Sequence, residues 1–204
     1  MSTPKLIDVT PFEPLVIKSH FDFDWKKLQP LCDDLIKTTK VKTFLEIGDA
    51  MSSAPNRKKQ PHLLKEFSEY YKWLEPVAQH IIHNEWTLNR HFQYFISNSW
   101  VNVHGKGGYT RIHTHGPCTL TTAAYLNLPE SGGYIEFLDP LEQVKLYHMK
   151  DFDEEEFNWK KVEAKTGDVL IFPGWIKHRT QPNESDENRW VLTSNYISTQ
   201  IASK

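Results

Sequence analysis

Two rhythms of apolar and polar residues divide this chain. In the first half the apolar positions step by threes and fours. Trp25, Leu28, Leu31, Leu35 and Ile36 share one helical face behind Asp24, a residue suited to capping a helix start. Leu64, Phe67, Tyr71, Leu74, Val77 and Ile81 do the same between Pro61 and about Asn89, where Pro76 is expected to kink or split the helix. Pro14–Lys18 reads as a short strand, and 47–60 as a polar loop. From residue 92 onward the period shortens to two. Short β-rich runs follow one another: FQYFISNSWVNVH, TRIHTH, CTLTTAAYLNL, GYIEFLDP, QVKLYHM, KVEAK, DVLIFPG, KHRTQP and RWVLTSNYIS. Gly and Pro punctuate them at Gly105–Gly108, Gly116-Pro117, Pro129–Gly133, Gly167-Asp168, Pro173-Gly174 and Pro182–Glu187. Many short strands in series predict a sandwich or jelly roll rather than βαβ units, and the acidic run Asp151–Glu156 reads as a solvated loop. The expected fold is mainly β with flanking helices.

Composition narrows the function. The chain has 204 residues, enough for one domain, and 13% aromatics, enough for a real core. A net charge of −2 disfavours a long nucleic-acid partner, which would call for a large positive excess. No apolar run is long enough for a membrane span, and the N-terminus lacks the pattern of a secretory signal. Two cysteines, Cys32 and Cys118, make a disulfide scaffold or Cys-based zinc site a poor fit and point to a reducing cytoplasm. Ten histidines stand out, because imidazole is the commonest metal ligand.

The strongest chemical signal is Arg111-Ile112-His113-Thr114-His115. In a strand, His113 and His115 face the same way. His178 follows the turn–strand–break phrase Lys165–Trp175 and is the natural third ligand. An H-x-H pair by itself is weak evidence and more often a pair of ordinary structural histidines. Arg189 heads an alternating strand that puts Arg189, Val191, Thr193 and Asn195 on one face. It is either a solvent-facing charge after the Asn183–Asn188 turn or a clamp for a carboxylate, whose two oxygens fit the guanidinium fork.

His113-Thr114-His115, Tyr125-Leu126-Asn127, Ser131–Phe137, Gly167–Pro173, His178 and Arg189, in that order, resemble the Fe(II)/2-oxoglutarate-dependent oxygenases. The order is most similar to the prolyl 4-hydroxylase-like branch and to the small 2OG-Fe(II) oxygenases of bacteria and phages. It covers roughly Trp100 to Tyr196. The resemblance implies a double-stranded β-helix (jelly roll, cupin-like), with residues 96–200 as its core and 1–95 supplying helical support and the first strands of a single domain. It implies Fe(II), 2-oxoglutarate as cosubstrate and O₂. His113 and His178 fall on the two histidine ligands. His115 falls where most members have Asp or Glu, so either three histidines hold the metal or a carboxylate such as Asp139 completes the site. Three histidines are favoured because His115 has the right offset and face, and Asp139 before Pro140 suits a turn. Zinc also accepts three histidines.

Arg189 falls on the residue that pairs with the far carboxylate of 2-oxoglutarate. Tyr125 falls on a tyrosine that reaches the same carboxylate, Thr193 could replace the usual hydroxyl two positions past the basic residue, and Asn195 matches a family asparagine. Asn102 and His104 are candidate pocket residues, and Ala50–Gln60 and Gly105–Gly108 candidate lid loops. The implied activity is hydroxylation of a small-molecule or peptidyl (prolyl) substrate, with a homodimer as a base-rate expectation. Two rivals stay open: a three-His cupin-type dioxygenase or ligand-binding cupin without 2-oxoglutarate, and a barrel whose histidines are structural.

Overall fold

The computed structural model describes residues 16–39, 41–140 and 159–201. QVKLYHM and the acidic run Asp151–Glu156 lie outside them. Eleven strands among the described residues are β1 (Ile17–His20), β2 (Glu46–Ile47), β3 (Ala50–Ser52), β4 (Phe92–His104), β5 (Tyr109–Thr110), β6 (Leu120–Asn127), β7 (Ile135–Leu138), β8 (Trp159–Val162), β9 (Asp168–Pro173), β10 (His178–Thr180) and β11 (Arg189–Gln200). They form an antiparallel sheet ordered β1-β9-β6-β11-β4-β3, a smaller sheet β10-β7-β8 and the pair β2-β5. The arrangement is mainly β and jelly-roll-like.

Alternation along the long strands decides what each face of the large sheet covers. On β11, Trp190, Leu192 and Tyr196 join Leu120, Ala124, Val169 and Ile171 in one apolar cluster. Two helices, α1 (Trp25–Lys37) and α2 (Ser68–His80), close that cluster. Asp24 caps α1 by accepting the Lys27 N–H, and Leu28, Cys32 and Leu35 point into the core at steps of four and three. Tyr70, Leu74 and Ala78 do the same from α2. Each of the leucines among them contributes roughly 1.5–3 kcal/mol by leaving water. The opposite face places Val191, Ala123, Tyr125, Leu170 and Phe172 against Ile135 and Phe137 of the small sheet. The polar groups of the site lie between the two sheets, at one end of this second cluster.

Several expectations from the pattern differ from the structure. The segment 61–89 opens with two 3-10 turns (Pro61–Leu63 and Lys65–Phe67) before α2, and it ends in a π-turn, Ile81–Glu85. The helix runs through Pro76 without splitting. The loop expected over 47–60 contains β3, hydrogen-bonded to β4 through Ala50↔His104. Gly105–Gly108 is tied down as well: Gly105 N–H donates to Asp49 O, and Gly107 N–H to Asn183 O, both at 2.7 Å. These contacts tie the start of the first suggested lid loop and much of the second to neighbouring backbone. TRIHTH is also not a regular strand. Only its Thr110 belongs to the two-residue β5, and beyond that only His113 is bridged, to His178. That bridge, rather than strand alternation, orients the histidines. Among the described residues no helix is long and apolar enough to cross a membrane.

Candidate active site

His113 and His178 meet through their backbones before their rings meet. His113 N–H donates to His178 O at 3.0 Å, and His178 N–H donates to His113 O at 3.1 Å. Residues so paired across antiparallel chain present their side chains on the same face. The two rings lie 4.2 Å apart between centroids. His115 is brought to the same point by its own backbone, its N–H donating to Gly174 O at 2.8 Å. Gly174 sits so close to the Cys118 carbonyl, 2.3 Å from an ideal Cβ, that no larger residue fits without a shift.

The hydrogen bonds fix which nitrogens face inward. His113 Nδ1 contacts Arg111 O at 2.8 Å, and His178 Nδ1 contacts Ile176 O at 3.0 Å. A carbonyl only accepts, so each Nδ1 carries its proton and each Nε2 is a bare lone pair. His115 Nε2 lies 3.2 Å from His178 Nε2. One ligand atom from each histidine lies within 4.8 Å of the others. Metal–nitrogen bonds of about 2.1 Å put neighbouring ligands about 3.0–3.4 Å apart, a spacing the His115–His178 pair has, and the three imidazoles together are a candidate donor set for a first-row divalent ion. Among the described residues no carboxylate joins this cluster; Asp139 lies two residues beyond Phe137, the partner of His178. Burial, and the other imidazoles for His115 and His178, lower the pKa of all three, that of His115 to about 3. Neutral imidazole is the form that binds a metal.

Arg189 is the largest fully buried side chain, 1% exposed, so it is not the solvent-facing charge. Its Nη1 donates to the carbonyls of Gly132 and Gln181, its Nη2 to Thr180 Oγ1 at 3.0 Å, and its Nε to His104 Nδ1 at 3.4 Å. Four of its five N–H groups thus meet neutral acceptors, and none of these carries a balancing charge. Burial lowers its pKa to about 10, still charged at neutral pH. His104 accepts from Arg189 at Nδ1 and must therefore donate from Nε2 to Thr110 Oγ1, 2.8 Å away.

A cavity of about 310 Å³ joins these groups. His113, His115, His178, Tyr125, Thr193, Asn102, His104 and Thr180 line it, with Trp100, Phe172 and Ala123 among its apolar walls. Arg189 lies behind Thr180 and His104, which are both on the wall and both hydrogen-bonded to it. Tyr125 is buried, its hydroxyl pKa pushed up to about 12 by burial and held back by the charge of Arg189. Thr193 Oγ1 accepts from Asn102 Nδ2. Asn195 is not on the wall; its Oδ1 accepts from Thr121 Oγ1 in the strand core. Sequence reasoning overlooked Thr180, although strand alternation from His178 puts it on the same face. It also overlooked the Gly132 and Gln181 carbonyls, for which a sequence carries no signal.

Residues 98–195 match the family described as "Putative 2OG-Fe(II) oxygenase". No curated protein matches the chain. Among solved structures, a Pseudomonas putida prolyl-4-hydroxylase aligns with TM-score 0.56 and 11% identity, over 90% of this chain and 92% of that one. The viral collagen prolyl hydroxylase of Paramecium Bursaria Chlorella virus-1 aligns with TM-score 0.56 and 14% identity, over 90% and 96%. HygX from Streptomyces hygroscopicus, solved with nickel and 2-oxoglutarate bound, aligns with TM-score 0.59 and 11% identity, over 90% and 82%. At these identities the likeness is one of fold. Residues 98–195, the segment carrying all three histidines, Tyr125 and Arg189, are similar to the 2OG-Fe(II) oxygenases.

Proposed function

We propose that this oxygenase holds Fe(II) with His113, His115 and His178 and couples decarboxylation of 2-oxoglutarate to hydroxylation of a small-molecule or peptidyl substrate. The observation that carries the reading is the pairing of a three-imidazole cluster on one cavity with a buried, uncompensated Arg189 directly behind that cavity's Thr180 and His104 wall. When bound, iron and 2-oxoglutarate together supply the activation of O₂, with succinate and CO₂ as products. The chain's own work is positioning and exclusion of water. The Nδ1 bonds of His113 and His178 hold their rings in the metal-binding tautomer. Arg189, with Tyr125 beside it, offers positive charge to the far carboxylate of 2-oxoglutarate. A buried cation without an anion is costly, and the ligand's carboxylate relieves that cost. Thr193 and Asn102 stand on the wall as polar contacts. Asn195 is assigned a structural tie to Thr121 instead. The family match favours this reading over a three-His dioxygenase that uses no cosubstrate. We further place the protein in the cytoplasm and treat a homodimer as open to measurement.

The test is isothermal titration of 2-oxoglutarate into anaerobic, Fe(II)-loaded protein, beside Arg189→Ala. Saturable binding that the variant loses supports the assignment. Metal binding without 2-oxoglutarate binding returns the three-His dioxygenase or ligand-binding cupin.

A further inference from the structure

The cavity wall also holds one carboxyl group that neither the metal nor the cosubstrate employs. Glu46 is 6% exposed and pairs with Thr110 across β2 and β5. Residues opposite each other in an antiparallel pair share a face. Thr110 points inward, its hydroxyl on His104 Nε2, so Glu46 points inward too. The Thr43 hydroxyl and the backbone N–H of Glu46 itself donate to the carboxylate, which leaves part of its acceptor capacity free. Among the described residues lining the cavity, Glu46 is the one acidic side chain, and no Lys or Arg lines it. Lys42, a cation whose charge acts on Glu46, donates to Gly48 O at 2.7 Å and is not part of the cavity lining. The same lining includes Trp100, Leu45 and Ala54, with Phe44, itself 80% exposed.

A desolvated carboxylate in an aromatic cavity is complementary to a cation, which it can hydrogen-bond while the rings face the rest of the ligand. A neutral substrate would cover Glu46 and leave its carboxylate poorly compensated. We propose that Glu46 is the specificity-determining residue of this site and that its substrate carries a protonated amine or guanidinium bound by Glu46. The inference rests on the oxygenase reading for the position of the reacting centre, but the preference for a cation rests on the cavity alone.

The test uses matched pairs of probes that differ in charge: lysine against norleucine, arginine against citrulline, and blocked acetyl-Gly-Lys-Gly-amide against its norleucine counterpart. Free amino acids against the blocked peptide separate a small molecule from a side chain on a peptide. Each probe is titrated calorimetrically under anaerobic conditions, into Fe(II)-loaded protein with and without 2-oxoglutarate. Wild type, Glu46→Gln and Glu46→Asp are compared, and 2-oxoglutarate affinity serves as the check that the variants fold. The cationic member of at least one pair should bind about tenfold or more tightly in wild type, the preference should collapse in Glu46→Gln, and Glu46→Asp should restore part of it. Equal binding within every pair, or a preference that survives Glu46→Gln, overturns the proposal. Because each pair is also measured without 2-oxoglutarate, loss of cosubstrate binding in wild type counts against the oxygenase reading and leaves the cation question decided separately.

Discussion

His113 and His178, 65 residues apart in the sequence, exchange both backbone hydrogen bonds, at 3.0 and 3.1 Å. This single bridge aligns two imidazoles without a continuous strand on either side of His113. The histidine cluster is therefore set by backbone, and substitution of a ring should remove a candidate ligand without disturbing the frame that presents it.

His113→Ala, His115→Ala and His178→Ala should each cost more metal affinity than the roughly 10–100-fold lost with an outer hydrogen-bond partner. Competition with a chelator in each variant, with circular dichroism as the check on folding, reads this directly. Metal binding unchanged in His115→Ala would return the third position to a carboxylate.

Gly133 supports the Arg189 pocket from behind. It has φ +79°, and an ideal Cβ there would lie 2.5 Å from Pro182 O and 2.9 Å from Arg189 Nη1. Gly133→Ala should cost about 1–3 kcal/mol of stability and weaken 2-oxoglutarate binding, while metal affinity is retained. Urea unfolding and calorimetry on the same variant separate the two effects.

Stability of the metal-free protein should fall as pH drops below about 6.5. The three histidines have lowered pKa values in the fold, so the unfolded chain binds more protons and stability rises with pH in this window. With His115 at about 3, its share of the loss by pH 5.5 is about 1 kcal/mol. Glu46, whose carboxyl is raised chiefly by burial, acts in the opposite sense: its contribution grows as pH falls through its folded value. Urea midpoints between pH 7.5 and 5, for wild type and His178→Phe, should show a shallower loss in the variant; equal slopes would discount the histidines.

Leu35→Ala, in the helix that covers the large sheet, should cost about 2–5 kcal/mol, because the fully buried side chain leaves a cavity in the apolar cluster. Metal affinity of the folded fraction should be unaffected, since Leu35 lies in the cluster on the opposite face of the sheet from the site.

The local pattern was enough to place β4 and β11, because 13 and 12 residues of β-rich sequence bounded by turn residues leave little choice. It was also enough for α1, with its capping Asp24. It was misleading over 61–67, where helical spacing supports 3-10 turns equally well, and over 111–115, where side-chain alternation suggested a strand that lacks continuous pairing. Glu46 carried no signal because β2 is only two residues long and its partner lies more than sixty residues away.

What the sequence determined by itself was the inventory and order of the chemistry: two histidines two apart, a third after a Pro-Gly break, and an arginine eleven residues on. Those spacings restrict which groups can meet. Whether Arg189 faced solvent or the interior, which nitrogen of each imidazole is free, and that Glu46 joins the cavity were decided only by the tertiary structure. Each depends on a partner far along the chain: His104 and Gly132 for Arg189, Thr110 for Glu46, and His178 for His113. Hydrogen-bond direction and desolvation are properties of the packed pair, and no local pattern encodes them.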